Sequence, residues 1–367
     1  MLAWLVISLR PARSWDLRPA AEDEPQPPEP AAWPPVCVIV PARNERSYLP
    51  RTLPSLLAQD YPGSWRAVLV DDRSCDGTAD VARGLGRQRV TVINGRPLPR
   101  GWTGKVWALA QGMEAADEAR YLLLTDADIR HAPSSLRRLV AESEAAGLAL
   151  NSRMARLRAD SAAERLLIPP FLFFFNLLYP MRRVNGAGRA AAAAGGCVLI
   201  RTDALERIGG FRAIAGEVID DVNLARAVKG LGVPIRLSVC RSDAVSIREY
   251  RTAGPIWRMV RRSAFDQLRY SWLLLAGAVS GLVLLFGVPP TLVAIAAAVP
   301  FAAGWRVTLV LLGSAAWAVT TLVFLPSVRL LGVPPLWAVS FPLAGLLYAA
   351  MTADSAVRHT LGRPAPW

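Results

Sequence analysis

The chain has 367 residues, 53% of them hydrophobic, a formal charge of +13 and 29 prolines. That is more than one soluble core of usual size requires, so a soluble part joined to a membrane part is expected. Its arginines lack interleaved surface aromatics and crowd towards an apolar span, which fits anionic lipid head groups and a pyrophosphate and argues against nucleic acid. Cys37, Cys75, Cys197 and Cys240 show no C-x-x-C spacing, so neither a disulfide framework nor a zinc site is indicated. Nothing pairs His131 or His359, the two histidines, with a nucleophile.

The apolar start MLAWLVISL ends at Arg10, short of the ~17 residues a span needs, and reads as a truncated anchor or an interfacial segment. It has no A-x-A site, so a removable signal peptide is not expected. Residues 19–35, rich in Pro, Glu and Ala, read as an extended linker.

From Val36 the chain alternates. VCVIV (36–40), AVLV (67–70), VTVI (90–93) and YLLLT (121–125) read as buried strands, with helices near 47–59, 78–83 and 104–116 between them. Continuous apolar strands separated by helices predict a parallel sheet covered on both faces, whose ligands gather at the carboxyl ends of the strands. Asp71 and Asp72 follow the second strand and Asp126-Ala127-Asp128 the fourth, so both acidic pairs fall on one edge. Carboxylates at i and i+2 of an extended chain face the same way, and hard oxygen ligands suit Mg²⁺ or Mn²⁺. A D-x-D alone is weak, because acids after an apolar run are more often solvated loop residues. Its coincidence with the other pair makes it a candidate site. Asp71 or Asp72 could equally be a helix cap, although Asp76, just ahead of Gly77-Thr78, is better placed.

Further on, LLIPPFLFFFNLLY (166–179) is apolar and interrupted by Pro169-Pro170. It suits a membrane-surface helix or the wall of a lipid groove, with a buried core helix as the plain alternative. NGAGRAAAAAGG (185–196) reads as a mobile loop near an acceptor, unless its small residues serve close packing. Asp220 and Asp221 open a helix-like run, where acids are favoured by the macrodipole whatever else they do. Seven arginines from Arg241 to Arg269 precede the first long apolar run, which puts the soluble part on the cytoplasmic side. Apolar runs at 271–288, 307–325 and 335–351 are span-length, and 290–303 is a further short span or the end of a long first one. Three or four spans are expected.

VIVPARNE (38–45), VDDRSCDGTAD (70–80), GKVWALAQG (104–112), LLLTDAD, GGCVLIRTDALERIGGF (195–211) and Asp220-Asp221 stand in the order found in family 2 glycosyltransferases. The chain resembles these, and more closely the hopanoid-biosynthesis-associated membrane glycosyltransferases, over about 36–270 and on through the C-terminal spans. The resemblance implies an α/β type A glycosyltransferase nucleotide-binding fold, a mostly parallel sheet with helices on both faces, followed by a C-terminal α-helical transmembrane bundle. It implies a metal-dependent, inverting transfer from a nucleotide sugar, UDP-linked, to a membrane lipid acceptor of polyisoprenoid or triterpenoid type, a hopanoid among them, with Mg²⁺ or Mn²⁺ as cofactor.

Residue roles follow from the same resemblance. Pro41, Arg43 and Glu45 would line the nucleoside, and Asp72 would accept from the uracil ring. Lys105 is a candidate on other grounds: as one of two lysines in an arginine-rich chain, and because ammonium and guanidinium are not interchangeable near phosphates, it is expected to touch the nucleotide sugar. Asp126 and Asp128 would hold the metal at the diphosphate. Asp221 would be the general base, with Asp220 in place of the glutamate of the family's Glu-Asp pair. One departure stands out: where processive members carry Q-x-x-R-W, this chain has Arg258-Met259-Val260-Arg261-Arg262. Those arginines keep a pyrophosphate clamp; the missing tryptophan favours one sugar on one lipid over a polysaccharide track.

The alternatives are a processive or polyprenyl-phosphate glycosyltransferase, or an inactive membrane scaffold with a nucleotide fold. Convergence of the acids at 72, 126, 128 and 221 on one pocket would separate the last from an enzyme. A sugar nucleotidyltransferase would want a Gly-rich loop after the first strand, and VPARNERS has none. The expected organisation is 1–35, apolar segment and linker; 36–270, catalytic domain with interfacial helices at about 165–180 and 255–270; 271–353, transmembrane helices; and 354–367, tail. The protein is expected in a bacterial-type inner membrane with its catalytic domain in the cytoplasm.

Overall fold

A computed structural model describes residue 17 and residues 20–86, 89–300 and 302–362; the apolar start 1–16 and the end of the tail lie outside the described residues. Packing divides the chain into two units, one built from Arg18–Leu157 and Met181–Arg248, the other containing Arg158–Pro180 and the chain from Glu249 onward. Residues 158–180 and 249–270, placed in the catalytic block by sequence, thus pack with the apolar helices.

The first unit is a seven-stranded sheet in the order β3-β2-β1-β4-β7-β6-β8. Its strands are β1 (Val36–Ala42), β2 (Trp65–Asp71), β3 (Val90–Asn94), β4 (Tyr121–Thr125), β6 (Leu150–Met154), β7 (Cys197–Arg201) and β8 (Ile235–Val239). A separate ladder joins β5 (Ile129–His131) to β9 (Ala244–Ser246). β1, β2, β3 and β4 are parallel neighbours, and β7 alone runs against its partners β4 and β6. The expected strands and connecting helices are therefore present. β1 and β4 are buried at every residue, as strands covered on both faces must be. The helix Gly104–Glu114 lies so close to β1 that a Cβ on Gly112 would stand 2.3 Å from Ile39 Cγ2, and only glycine permits that approach.

The Pro-rich segment behaves less like a linker than its composition suggests. Glu22 accepts from the consecutive amides of Arg241, Ser242 and Asp243 at 2.7, 2.7 and 3.0 Å. Those amides outweigh the effect of burial, so its carboxyl is held below the usual range. Asp23 pairs with Arg241 and Glu24 with Arg236, fastening the strap to β8 and to the turn that follows it.

The second unit is helical. Among the described residues four stretches are long and apolar enough to cross a membrane: Ala162–Val184, Trp272–Ala298, Ala303–Leu330 and Pro335–Thr360. Residues 290–298 are the end of the first long C-terminal stretch, which runs through a π-helical turn at Val283–Gly287. The last helix continues past the expected boundary at 353 to Thr360.

Pro169-Pro170 does not break its segment, for one helix covers Ala162–Leu178. Ser161 and Glu164 close a capping box at its start. Packing compensates for the missing amides: Phe173 lies 4.9 Å from Phe341 and 5.9 Å from Phe324 between ring centroids, and Tyr348 Oη donates to Leu167 O at 2.7 Å. Phe173→Ala should lower the thermal midpoint in detergent by several degrees, since emptying a packed phenylalanine site costs about 3–5 kcal/mol. An unchanged midpoint would show that this aromatic seam contributes little.

Candidate active site

Parallel β1, β2 and β4 end together, and the loops that leave them form the site. The first two loops are laced to each other: Asn44 N donates to Ser74 Oγ at 2.9 Å, Cys75 N to Asn44 Oδ1 at 3.0 Å and Glu45 N to Thr78 Oγ1 at 2.8 Å. Asn44 and Arg73 take left-handed φ values of 58° and 54° to make these turns. Asp76 accepts from Thr78 N at 3.0 Å ahead of the helix Thr78–Gly86, the cap expected from sequence. Asp72, buried, faces Arg43 at 3.2 Å.

Three acids gather around one lysine. Lys105, in the first turn of its helix, places Nζ 2.8 Å from Asp126 Oδ1 and 3.6 Å from Asp220 Oδ2. Burial works against its charge, but Asp126 and Asp220 more than offset this and raise its pKa. Asp221, opening the helix Asp220–Gly230, accepts from Gly195 N and from Val222 N, both at 2.8 Å. Burial, and then the neighbouring Asp220, push its carboxyl up to about 6, while Lys105 and the two amides pull the other way. Pro41, Thr125 and Gly195 line the same pocket with these four side chains. A Cβ on Gly195 would stand 2.9 Å from Lys105 Nζ and 3.3 Å from Asp221 Oδ2, so the cluster needs a glycine there.

Asp126 and Asp128 take different partners. The chain turns directly after Thr125, with Ile129 N donating to Asp126 O at 3.1 Å, so the extended geometry assumed from sequence is lost. Asp128 instead accepts from Ser246 Oγ at 2.8 Å and Arg248 Nε at 3.0 Å. Arg248 also reaches Glu45 at 2.5 Å and lies over the Tyr48 ring at 4.8 Å. Burial pushes Glu45 up to about 7, Arg248 notwithstanding. Neither Asp72 nor Asp128 lines the Lys105 pocket.

Among the described residues no three His, Cys, Asp or Glu side chains are grouped to hold a metal. Each acid of the D-x-D nevertheless already binds a cation, Lys105 for Asp126 and Arg248 for Asp128. All-oxygen donors that gather positive charge fit a hard divalent ion, provided it competes with those two side chains.

Arg258, Arg261 and Arg262 belong to the helical unit. There Arg261 pairs with Asp354 at 3.2 Å, and Trp257 Nε1 donates to the same carboxylate at 2.7 Å. The loop 185–196 is pinned rather than loose: Asn185 bridges Leu237 N and O, and Lys229 Nζ donates to the carbonyls of Val184, Gly186 and Ala190. Gly195 N, Ser246 and Arg248 are site groups that reading by residue type missed. Gly195 acts through its backbone, and Arg248 was indistinguishable within a run of membrane-proximal arginines. His131, fully buried, sits 2.8 Å from Thr125 Oγ1, and burial pushes it down to about 4, so it is neutral at physiological pH.

The strand order, the acids at the sheet edge and the helical unit together define an α/β domain joined to apolar helices. Residues 37–209 match the Glycosyl transferase family 2 model, so the chain carries a family 2 glycosyltransferase domain. It is 35% identical over 97 residues to the 4,4'-diaponeurosporenoate glycosyltransferase of Staphylococcus haemolyticus, covering 26% of this chain and 24% of that protein. It is 34% identical over 99 residues to the putative teichuronic acid biosynthesis glycosyltransferase TuaG of Bacillus subtilis, covering 26% of this chain and 37% of that one. The chain thus matches well under half the length of either relative. Its fold is similar to that of the mannosyltransferase PcManGT from Pyrobaculum calidifontis in complex with GDP-Man and Mn²⁺, with a TM-score of 0.61 over 98% of this chain and 95% of that chain at 20% identity.

Proposed function

We propose that the chain is a metal-dependent, inverting glycosyltransferase that moves one sugar from a nucleotide sugar, UDP-linked, to a lipid acceptor, a hopanoid among the candidates. Its sheet would face the cytoplasm at a bacterial-type inner membrane. The observation that carries this reading is Asp221, a half-buried carboxylate poised at about 6 beside a lysine and two further acids. A general base works best with a pKa near the operating pH, and this one is mostly ionised at neutrality yet still able to take a proton.

Asp221 would accept the proton of the acceptor hydroxyl as that oxygen attacks the anomeric carbon, with Gly195 N and Val222 N holding the carboxylate in place. Lys105 keeps the base ionised against the nearby acids. Asp72, which can accept but not donate when ionised, suits an N–H of the nucleobase, with Arg43 fixing its orientation. A divalent ion, Mg²⁺ or Mn²⁺, held by Asp126 and Asp128 would neutralise the charge of the departing diphosphate. The apolar helices and the arginines before them support a lipid acceptor.

Purified protein, lipid extract and either UDP- or GDP-sugars, with and without EDTA, test this reading; the GDP-Man complex of the fold neighbour is the reason for including both nucleotides. Mass spectrometry should show one sugar added to a lipid, only with metal present. Full turnover in EDTA removes the metal from the reading. Failure to glycosylate lipid with any donor, metal present, removes the function.

A further inference from the structure

Length and composition admit four membrane crossings, but connectivity allows fewer. β6 and β7 are hydrogen-bonded neighbours, Ser152 opposite Val198, so Met154 and Cys197 lie on one side of any membrane. Between them stands a single long helix, Ala162–Leu178, followed by residues 181–196, which belong to the sheet's own unit. One full crossing there would put β7 on the opposite side from the strand it pairs with.

The helix has a different companion. Ser161 Oγ donates to Tyr250 O at 2.9 Å and Tyr250 N to Glu164 Oε1 at 2.7 Å, while at the other end Tyr179 Oη meets Gln267 Oε1 at 2.5 Å. It therefore runs alongside the amphipathic helix Ala253–Gln267, which buries Ile256, Val260 and Phe265 and exposes Arg258 and Arg262, one turn apart. Arg269 and Tyr270, both at left-handed φ of 52° and 56°, then turn the chain into the apolar helix at Trp272.

The same parity governs the C-terminal stretches. Tyr270 stacks on His359 with ring centroids 4.4 Å apart, and Phe265 N donates to Ser355 Oγ at 3.1 Å, so the helix Phe341–Thr360 finishes beside the place where the first long stretch begins. Only an even number of crossings permits that. The last helix starts halfway: Phe341 lies 4.7 Å from Phe286, which stands about 21 Å along the first stretch at 1.5 Å per residue. Trp317 Nε1, midway along the Ala303–Leu330 helix, donates to Val339 O at 2.9 Å.

We propose that the helical unit crosses the bilayer twice, through Trp272–Ala298 and Ala303–Leu330. Ala162–Leu178 and Ala253–Gln267 lie paired in the interface, and Pro335–Thr360 dips in and returns. The partner of the paired helices is then one leaflet: Arg258 and Arg262 face anionic head groups and exposed Leu178 faces acyl chains.

The topology is read by labelling with a membrane-impermeant maleimide in sealed vesicles of known orientation, which requires no enzymatic activity and so stands or falls apart from the chemistry proposed above. Native Cys75 is exposed and the other three cysteines are buried, so Cys75 reports the side of the sheet. In a Cys75→Ser background, Ala187→Cys, Ala302→Cys and Leu361→Cys each introduce one thiol at an exposed position. Positions 187 and 361 should label from the face that labels Cys75, and 302 from the other face only. Labelling of 361 together with 302 would mean a third crossing, and labelling of 187 opposite Cys75 would mean that Ala162–Leu178 spans; either result overturns the proposal.

Discussion

Asp221→Asn should lower turnover by about 10²–10⁴, the usual share of a general base, while nucleotide binding stays intact. Asparagine keeps the shape and can still accept from Gly195 N, so what disappears is the proton acceptor. In the parent protein the rate should rise as pH passes about 6, and this limb should vanish in the variant. Stability should move oppositely. The folded-state pKa of Asp221 is raised, so folding resists ionisation; the cost is absent below about 4, grows through 6 and is complete above it. The variant should therefore melt at or above the parent temperature at pH 8 and lose that advantage near pH 4. If Asp220→Asn were the damaging change and Asp221→Asn harmless, the base would be misassigned by one residue.

Lys105→Ala is expected to be nearly as harmful, by about 10²–10³, the range seen when one preorganised electrostatic contact is removed. Its side chain is 21% exposed and holds Asp126 and Asp220 directly. Without it, repulsion among the acids should move the pH limb upward, a change that general loosening would not produce. Mn²⁺ should bind more tightly, because the ammonium no longer competes for Asp126; calorimetry of metal binding is the measurement. Lys105→Arg should not restore activity, since a guanidinium is broader than an ammonium and the lysine nitrogen already sits where a Gly195 Cβ would touch it. An unmoved pH limb in Lys105→Ala would show that Lys105 does not tune Asp221.

Much of this was legible from residues. VCVIV, YLLLT and the acids that follow read correctly because a strand buried on both faces leaves a continuous apolar run, and a parallel sheet places its chemistry at one edge. The extended geometry assumed for the D-x-D is not what the chain adopts, since a tight turn follows Thr125 and the i, i+2 rule does not apply there. Gly195, Ser246 and Arg248 were missed because their roles arise from contacts over 26, 118 and 120 residues of separation, which no local pattern records. Pro169-Pro170 suggested a break that tertiary packing of Phe173 overrides. The Pro-rich segment looked unstructured because its anchor is a ring of backbone amides contributed by a distant turn.

The single reversed strand has a consequence for how the protein is made. β7 lies beside β4 with Cys197 opposite Thr125, 72 residues apart, and only its reversed direction delivers Gly195 to the edge where the parallel strands end. β1 to β4 can assemble as soon as they emerge, but Gly195 and Asp221 arrive later, after the apolar helix between β6 and β7 has been synthesised. Pairings of such sequence separation form slowly. A nascent chain would therefore hold its parallel edge before Gly195 and Asp221 join it.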